Sequence, residues 1–135
     1  MTVTPPDLAA YRLERAHEAL LEAELLLREG HANTFVNRLY YACFYAVSAW
    51  MVQHDLSTSK HSGIRAWFHQ YLVKPGLVNI ESGILYDRLY NNRQKGDYVD
   101  LVYFDATEVG PWLAEAKDFV ETMNALIAKE KYLED

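Results

Sequence analysis

The 135-residue sequence lacks paired cysteines, a signal-like leader and a long uncharged run. Its single cysteine, Cys43, lies inside an apolar stretch, which excludes a disulfide framework or a thiolate metal cluster and is typical of a reducing compartment. The longest uncharged run, Leu39 to His54, falls short of the roughly 20 residues that a membrane helix requires. The amino terminus has neither the basic residues nor the apolar core of a secretory signal. We therefore expect a soluble, cytoplasmic protein that makes no membrane contact.

Motifs for metal or cofactor binding are also scarce. No Gly-x-Gly-x-x-Gly and no Walker loop occurs, so the usual phosphate-binding loops are absent. Glu14 and His17 form a Glu-x-x-His pair of the kind that ferritin-like di-iron bundles use. Such a site needs two of these pairs on facing helices, and the sequence contains no second pair. The ligand count therefore argues against a metal site, and the sequence predicts no cofactor.

Acidic residues outnumber basic ones by 19 to 13, so the formal net charge is −6. This balance argues against a general nucleic-acid-coating protein. The basic residues are unevenly distributed, however, because residues 60–96 contain six Lys or Arg and two Asp or Glu, against seven and 17 in the rest of the chain. The split either places a local positive field on an acidic body, which would attract an anion, or reflects ordinary charge segregation between helices.

Apolar residues are abundant, at 50% of the chain, and they recur at helical spacing. Residues 7–28 carry an apolar stripe, begin at the N-cap candidate Asp7 after two prolines, and end at Gly30. Residues 32–54 are apolar on nearly all sides, which is typical of a central helix. These two segments predict a pair of long helices joined by a short turn.

Later segments complete the predicted bundle. A third helix follows the hydroxyl residues 57–59 and ends at Pro75-Gly76, and a fourth runs from about Ser82 to Gln94 and ends at Gly96. Residues 99–104 resemble a strand. A last helix begins either at a capping box over residues 105–108 or at Pro111. The short connections predict an all-α, antiparallel up-down bundle of about five helices, one domain over residues 1–135 with its core at about 7–128.

Basic residues inside these helices are candidates for binding. Arg38 lies among apolar residues, where it either reaches water along its aliphatic stem or anchors a carboxylate or phosphate. His61, Arg65 and His69 are spaced four apart and so share one helix face. His61 falls in the first turn, where the helix dipole favours the neutral ring. This face is either an exposed polar surface or part of a binding site.

The sequence carries several short motifs in a definite order. An alanine- and leucine-rich first helix is followed by Asn37-Arg38-Leu39-Tyr40-Tyr41-Ala42, by Lys60-His61-Ser62-Gly63-Ile64, and by Arg93 through Asp97-Tyr98. In this order they resemble the HEPN domain family, and especially its compact stand-alone prokaryotic members, over about residues 10–127. The resemblance implies a bundle of about five helices that pairs into a homodimer. It also implies metal-independent ribonuclease activity, as in many members, and a small nucleotidyltransferase as partner, often in a toxin–antitoxin pair.

The resemblance also implies which residues form the site. The family's catalytic motif is an arginine followed four to six residues later by a histidine, and Arg93 matches the arginine while Tyr98 replaces the histidine. Tyrosine, with an ordinary pKa of about 10, donates hydrogen bonds well but is a poor base at pH 7. We expect Arg93 to bind phosphate, Tyr98 to donate to it, and Asp97 to orient Arg93 or Lys95, while Asp97 or His61 could supply a base. The surrounding candidates for binding phosphate or nucleotide are Arg38, Lys60, His61, Arg65 and Lys95.

Two functional hypotheses follow. The first is a HEPN-family protein that binds nucleotide or RNA phosphate in a basic dimer cleft, works with a nucleotidyltransferase and cleaves RNA weakly at most. The alternative is a non-catalytic helical module in which the same residues hold a dimer or a protein partner together. Dimerisation is favoured in both, because a single small bundle would not easily cover the aromatic residues of the central helix. These are Tyr40, Tyr41, Phe44, Tyr45 and Trp50.

Overall fold

In the computed structural model, which describes residues 2–133, the chain folds into five helices of two turns or more and one single-turn helix. They are α1 (Pro5–Arg28), α2 (Ala32–Gln53), α3 (His61–Phe68), α4 (Ile80–Tyr98), α5 (Ala106–Val109) and α6 (Trp112–Leu133). A π-helical turn, His69–Val73, extends α3. Within residues 2–133 there is no strand, so the predicted all-α bundle is confirmed.

α2 lies at the centre of the bundle because most of its apolar side chains pack against the other helices, and only the side around Tyr41 is half-buried. Phe35, Leu39, Cys43 and Met51, which lie at different angles around the helix, are all fully buried. α1, α3, α4, α5 and α6 each pack against α2. The three-residue connection 29–31 turns the chain back, so α1 and α2 run antiparallel. The prediction of a central second helix is therefore confirmed.

The N-cap of α1 lies three residues earlier than predicted. Thr4 is the N-cap, and its hydroxyl accepts a hydrogen bond from the Asp7 backbone N–H at 3.2 Å, while the Asp7 carboxylate accepts one from the Thr4 backbone N–H. The prediction of Asp7 as the N-cap was wrong because Asp7 is the third residue of this capping box, and the two prolines occupy the first helical positions. Buried alanines along α1 allow it to approach α2 closely.

α4 extends past Gly96 to Tyr98, so the prediction that Gly96 ends the helix was wrong. A Cβ atom at Gly96 would lie 2.8 Å from the Phe104 ring, so the glycine provides room for the segment that follows α4. In that segment Leu101 has a positive φ of 63° and turns the chain. Glycine at position 96 therefore reflects close packing rather than helix termination.

The strand-like residues 99–104 form a bend and a turn through Leu101, followed by a short stretch without a partner strand among the described residues. Val102 and Phe104 are partly buried, whereas Leu101 and Tyr103 are 89% and 84% exposed, as the alternating sequence indicates. The Asn33 side chain takes the place of a neighbouring strand: its Nδ2 donates to the Val102 carbonyl at 2.8 Å, and its Oδ1 accepts from the Phe104 N–H at 2.9 Å. The strand prediction was wrong because the side chain of one residue satisfies this backbone.

Both predicted starts of the last helix are used. Asp105 caps the single turn α5 by accepting a hydrogen bond from the Thr107 N–H at 2.8 Å, and Pro111 directly precedes α6. None of the helices in the described part of the chain is long and apolar enough to cross a membrane.

Candidate functional site

The candidate site is centred on Arg93, which lies on the buried face of α4. Leu89, one turn earlier on the same face, is fully buried against the core, and Arg93 itself is only 7% exposed. Its guanidinium carbon lies 4.8 Å from the ring centre of Tyr40, 5.7 Å from that of Tyr41 and 5.8 Å from that of Tyr98. The arginine of the sequence motif is thus surrounded by aromatic rings rather than placed at an exposed helix end.

No carboxylate forms an ion pair with Arg93 within the described residues. Its Nη1 donates a long hydrogen bond of 3.4 Å to the Tyr41 hydroxyl, and its Nε finds no hydrogen-bond partner among residues 2–133. Cation–π contacts are worth about 0.5–2 kcal/mol each, whereas desolvating an ion costs several kcal/mol. A buried guanidinium with these neighbours is a favourable position for an anion to bind.

His61, the first residue of α3, is connected to Arg93 through Tyr40. Its Nδ1 lies 2.7 Å from the Tyr40 hydroxyl, and its ring stacks on that of Phe44 at a centroid distance of 4.4 Å. Burial and the nearby Arg93 charge lower the pKa of His61, and burial raises the pKa of Tyr40. His61 is therefore neutral at pH 7, as predicted, although burial and Arg93 supply the cause.

The role of His61 depends on the direction of its bond to Tyr40. When Tyr40 donates to Nδ1, the neutral ring carries its proton on Nε2 and offers it to an anion. When Nδ1 donates instead, Nε2 is left as a proton acceptor. The first arrangement suits phosphate binding and the second suits a general base, and both keep the ring at the edge of the same aromatic cluster.

Arg38 contacts the cluster through the ring of Tyr41. Its guanidinium is 5.0 Å from the Tyr41 ring centre, its Nη1 lies 3.3 Å from the Glu22 carboxylate, and its Nε donates to the Asn37 amide oxygen at 3.2 Å. The Asn37 amide in turn donates to Asp97 at 2.8 Å. Asp97 thus fixes the orientation of Asn37 and Arg38. The expected bond from Asp97 to Arg93 or Lys95 is not among the contacts of the described residues.

The remaining candidates around the cluster are exposed. Lys60 precedes His61 as the N-cap of α3, and Lys95 lies two residues after Arg93 in the last turn of α4, so it projects from a different face of that helix than Arg93. Tyr98 is the last residue of α4 and is 73% exposed, with its ring near Arg93. The site is therefore a buried cation, Arg93, with the exposed ring of Tyr98 beside it.

Arg65 belongs to a different cluster. Its Nε and the Nε2 of His69 both lie 2.8 Å from one oxygen of Asp87 on α4. Burial acts to raise the pKa of Asp87, but the hydrogen bonds from Arg65 and His69 outweigh it and lower the pKa. The side chains of His61, Arg65 and His69 thus divide between two clusters, and the charge of Arg65 is largely neutralised.

Sequence reasoning assigned Tyr40 and Tyr41 to the family motif and to the hydrophobic surface but not to the site. Tyr40 is fully buried, yet its ring lies beneath Arg93 and its hydroxyl meets His61. A tyrosine within an apolar helix requires a polar partner for its hydroxyl, and that requirement was the available signal. Asn37 was likewise quoted only as part of the motif.

Comparison with known proteins agrees with the family resemblance of the sequence motifs. The HEPN domain model matches residues 9–132 of this chain. A UPF0332 protein of Thermotoga maritima is 44% identical over 87% of this chain and 89% of its own length. A protein of Methanocaldococcus jannaschii named "Putative toxin MJ0142" is 28% identical over 87% of this chain and 80% of its own. A UPF0332 protein of Gloeobacter violaceus, glr0978, is 36% identical over 51% of this chain and 55% of its own.

Proposed function

This chain belongs to the HEPN domain family, and from that premise we propose that it binds the phosphate groups of RNA or of a nucleotide at Arg93. The observation that supports this most is the buried guanidinium of Arg93, which has three tyrosine rings around it and no carboxylate partner within residues 2–133. A phosphate would supply the missing charge and a hydrogen-bond acceptor for the guanidinium. Arg38 and neutral His61 would bind the same or the adjacent phosphate.

Catalysis is a separate part of the proposal. Cleavage of RNA would require a base that removes the proton of a ribose 2′-hydroxyl, and Tyr98 is a poor base at neutral pH. His61 acts as a base only in the arrangement in which its Nδ1 donates to Tyr40. We therefore propose that the protein binds RNA phosphate and cleaves it slowly or not at all without a metal ion.

Two partners complete the proposal. The single bundle itself buries Tyr40 and Trp50, so the expectation that the central aromatic residues need a second copy was wrong for these two. A second copy would instead cover the exposed apolar side chains of residues 98–103, among which Leu101 and Tyr103 are the most exposed. A nucleotidyltransferase would be the partner of a toxin–antitoxin-like pair, which the toxin name of the Methanocaldococcus jannaschii relative supports. The alternative, a non-catalytic interaction module, is favoured by the same exposed apolar segment.

The test is the salt dependence of RNA binding. A fluorescent single-stranded RNA is titrated with wild type, Arg93→Ala and Lys129→Ala at several salt concentrations, and anisotropy reports binding. Each lost phosphate contact reduces the slope of log K against log salt by about 0.7 for single strands. We expect that reduction, with weaker binding, in Arg93→Ala but not in Lys129→Ala, whose side chain is exposed on α6. Equal effects of the two substitutions, or no binding at low salt, would favour the interaction module.

A further inference from the structure

A concave surface away from Arg93, which we call the α1 groove, lies between α1, the middle of α2 and the loop before α3. Its volume is about 440 Å³, within the range of roughly 300–1,000 Å³ that is typical of small-molecule pockets. Phe44 and Tyr45 contribute its aromatic wall. Phe44 also stacks on His61, so this ring separates the α1 groove from the cluster around Arg93.

The charge of the α1 groove is unusual for this acidic protein. Arg12 and Arg15 line it, and no Asp or Glu does. Arg12 forms no ion pair within the described residues, and the carboxylate that pairs with Arg15 is that of the exposed Glu18, 3.9 Å away. By contrast, the cavity between α4 and α6 is lined by three acidic and no basic residues. The α1 groove is therefore suited to an anion.

Its remaining lining residues provide an aromatic surface and hydroxyl groups. The Arg15 guanidinium lies 5.4 Å from the Tyr45 ring centre and donates to the Tyr45 hydroxyl at 3.5 Å. Ser48, which is 1% exposed, also lines the groove, and its hydroxyl has no hydrogen-bond partner among residues 2–133. An unpaired buried hydroxyl costs about 1–3 kcal/mol, so a ligand that pairs with it gains affinity. The hydroxyl residues 57–59 lie at the loop side.

We propose that the α1 groove binds a small aromatic phosphate monoester, such as a nucleoside monophosphate. The phosphate would lie between Arg12 and Arg15, and the aromatic ring would pack against Phe44 and Tyr45. The Ser48 hydroxyl would bind a polar edge of the ring. This site is distinct in place from the one at Arg93, because the Phe44 ring lies between the two.

The experiment follows amide NMR shifts while AMP or phenyl phosphate is added to the full chain, with adenosine and inorganic phosphate as comparisons. We expect at least one of the two esters to bind wild type, and to bind it more tightly than adenosine or inorganic phosphate does. Arg12→Gln combined with Arg15→Gln should weaken binding about tenfold or more, because it removes charge-assisted hydrogen bonds. Arg28→Gln, an exposed position on the same helix, should leave binding unchanged. Ser48→Ala should weaken binding several-fold while leaving thermal stability unchanged or higher.

The Arg93→Ala variant distinguishes this proposal from the proposed function. Ester binding that persists in Arg93→Ala and is lost in the double variant supports the α1 groove, whether or not RNA binds at Arg93. Ester binding that is lost in Arg93→Ala and persists in the double variant overturns it. It is also overturned if neither ester binds at millimolar concentration, or if adenosine or inorganic phosphate binds as tightly as the esters. Arg12→Gln alone, at a residue without an ion pair in the described range, serves if the double variant does not fold.

Discussion

Replacing Arg93 with methionine separates the contribution of this residue to binding from its contribution to stability. The free-energy terms can be estimated from the contacts of its guanidinium. Three tyrosine rings contribute about 0.5–2 kcal/mol each through cation–π contacts. Burial of the charge costs several kcal/mol, and the unpaired Nε costs about 1–3 kcal/mol more. These terms nearly cancel.

Methionine keeps a long unbranched side chain and gains contacts between sulfur and aromatic rings worth about 0.3–1.5 kcal/mol. We therefore expect Arg93→Met to change the free energy of unfolding by less than about 1 kcal/mol, and to raise rather than lower it. For a chain of this length, 1 kcal/mol corresponds to a shift in Tm of about 3–4 °C. RNA binding should weaken at the same time, because the cation is gone.

Urea denaturation followed by circular dichroism measures the stability change. Leu89→Ala is the matched control, since Leu89 is fully buried one turn earlier on the same face of α4. That substitution should cost about 2–5 kcal/mol. A loss of more than about 3 kcal/mol in Arg93→Met, with RNA binding retained, would refute the reasoning and assign Arg93 a purely structural role.

Three further predictions concern the same site. Tyr98→His should raise the rate of metal-independent RNA cleavage, since a positioned general base is typically worth about 10²–10⁴-fold. Arg93→Ala in that background should abolish the gain. An unchanged cleavage rate in Tyr98→His would mean that residue 98 points away from the substrate. In Arg93→Met the pKa of His61 should rise in an NMR titration, because the nearby positive charge that helps to lower it is gone. In wild type the lowered pKa of His61 means that the free energy of unfolding should fall as pH drops below about 6.5. His61→Gln should remove this part of the pH dependence. Light scattering at tens of micromolar should show a dimer, and a monomer would contradict the proposed two-fold interface.

The helices could be predicted from the sequence because their patterns are local. The largely apolar character of residues 32–54 indicated a central helix, and every other helix packs against α2, although the face with Tyr41 and Tyr45 is only half-buried. Asp105 and Pro111 both indicated a helix start, and both are used. The prediction that Gly96 ends α4 was wrong because a glycine that ends a helix and a glycine that makes room for a distant side chain look alike in sequence. Which of the two applies depends on Phe104, which a helix pattern does not locate.

The candidate site was predictable only in part, for the same reason. Arg93, Tyr98 and His61 do lie near one another, as the motif order suggested. The pairing of Arg65 with Asp87 was not visible, because spacing along α3 does not reveal which carboxylate of α4 faces it. Helix spacing reports which residues share a face. The packing of one helix against another decides what that face meets.

The two hydrogen bonds of Asn33 have a consequence for how quickly different parts of the molecule open. A backbone segment held by one side chain rather than by a strand separates from the bundle at a free-energy cost of a few kcal/mol, well below the roughly 5–15 kcal/mol of global unfolding. The Phe104 amide should therefore exchange its hydrogen far sooner than the amides of α2. Tyr98 lies at the start of that segment, on the exposed side of Arg93. The segment that follows Tyr98 therefore opens on the lifetime of two local hydrogen bonds, independently of how stably the bundle folds.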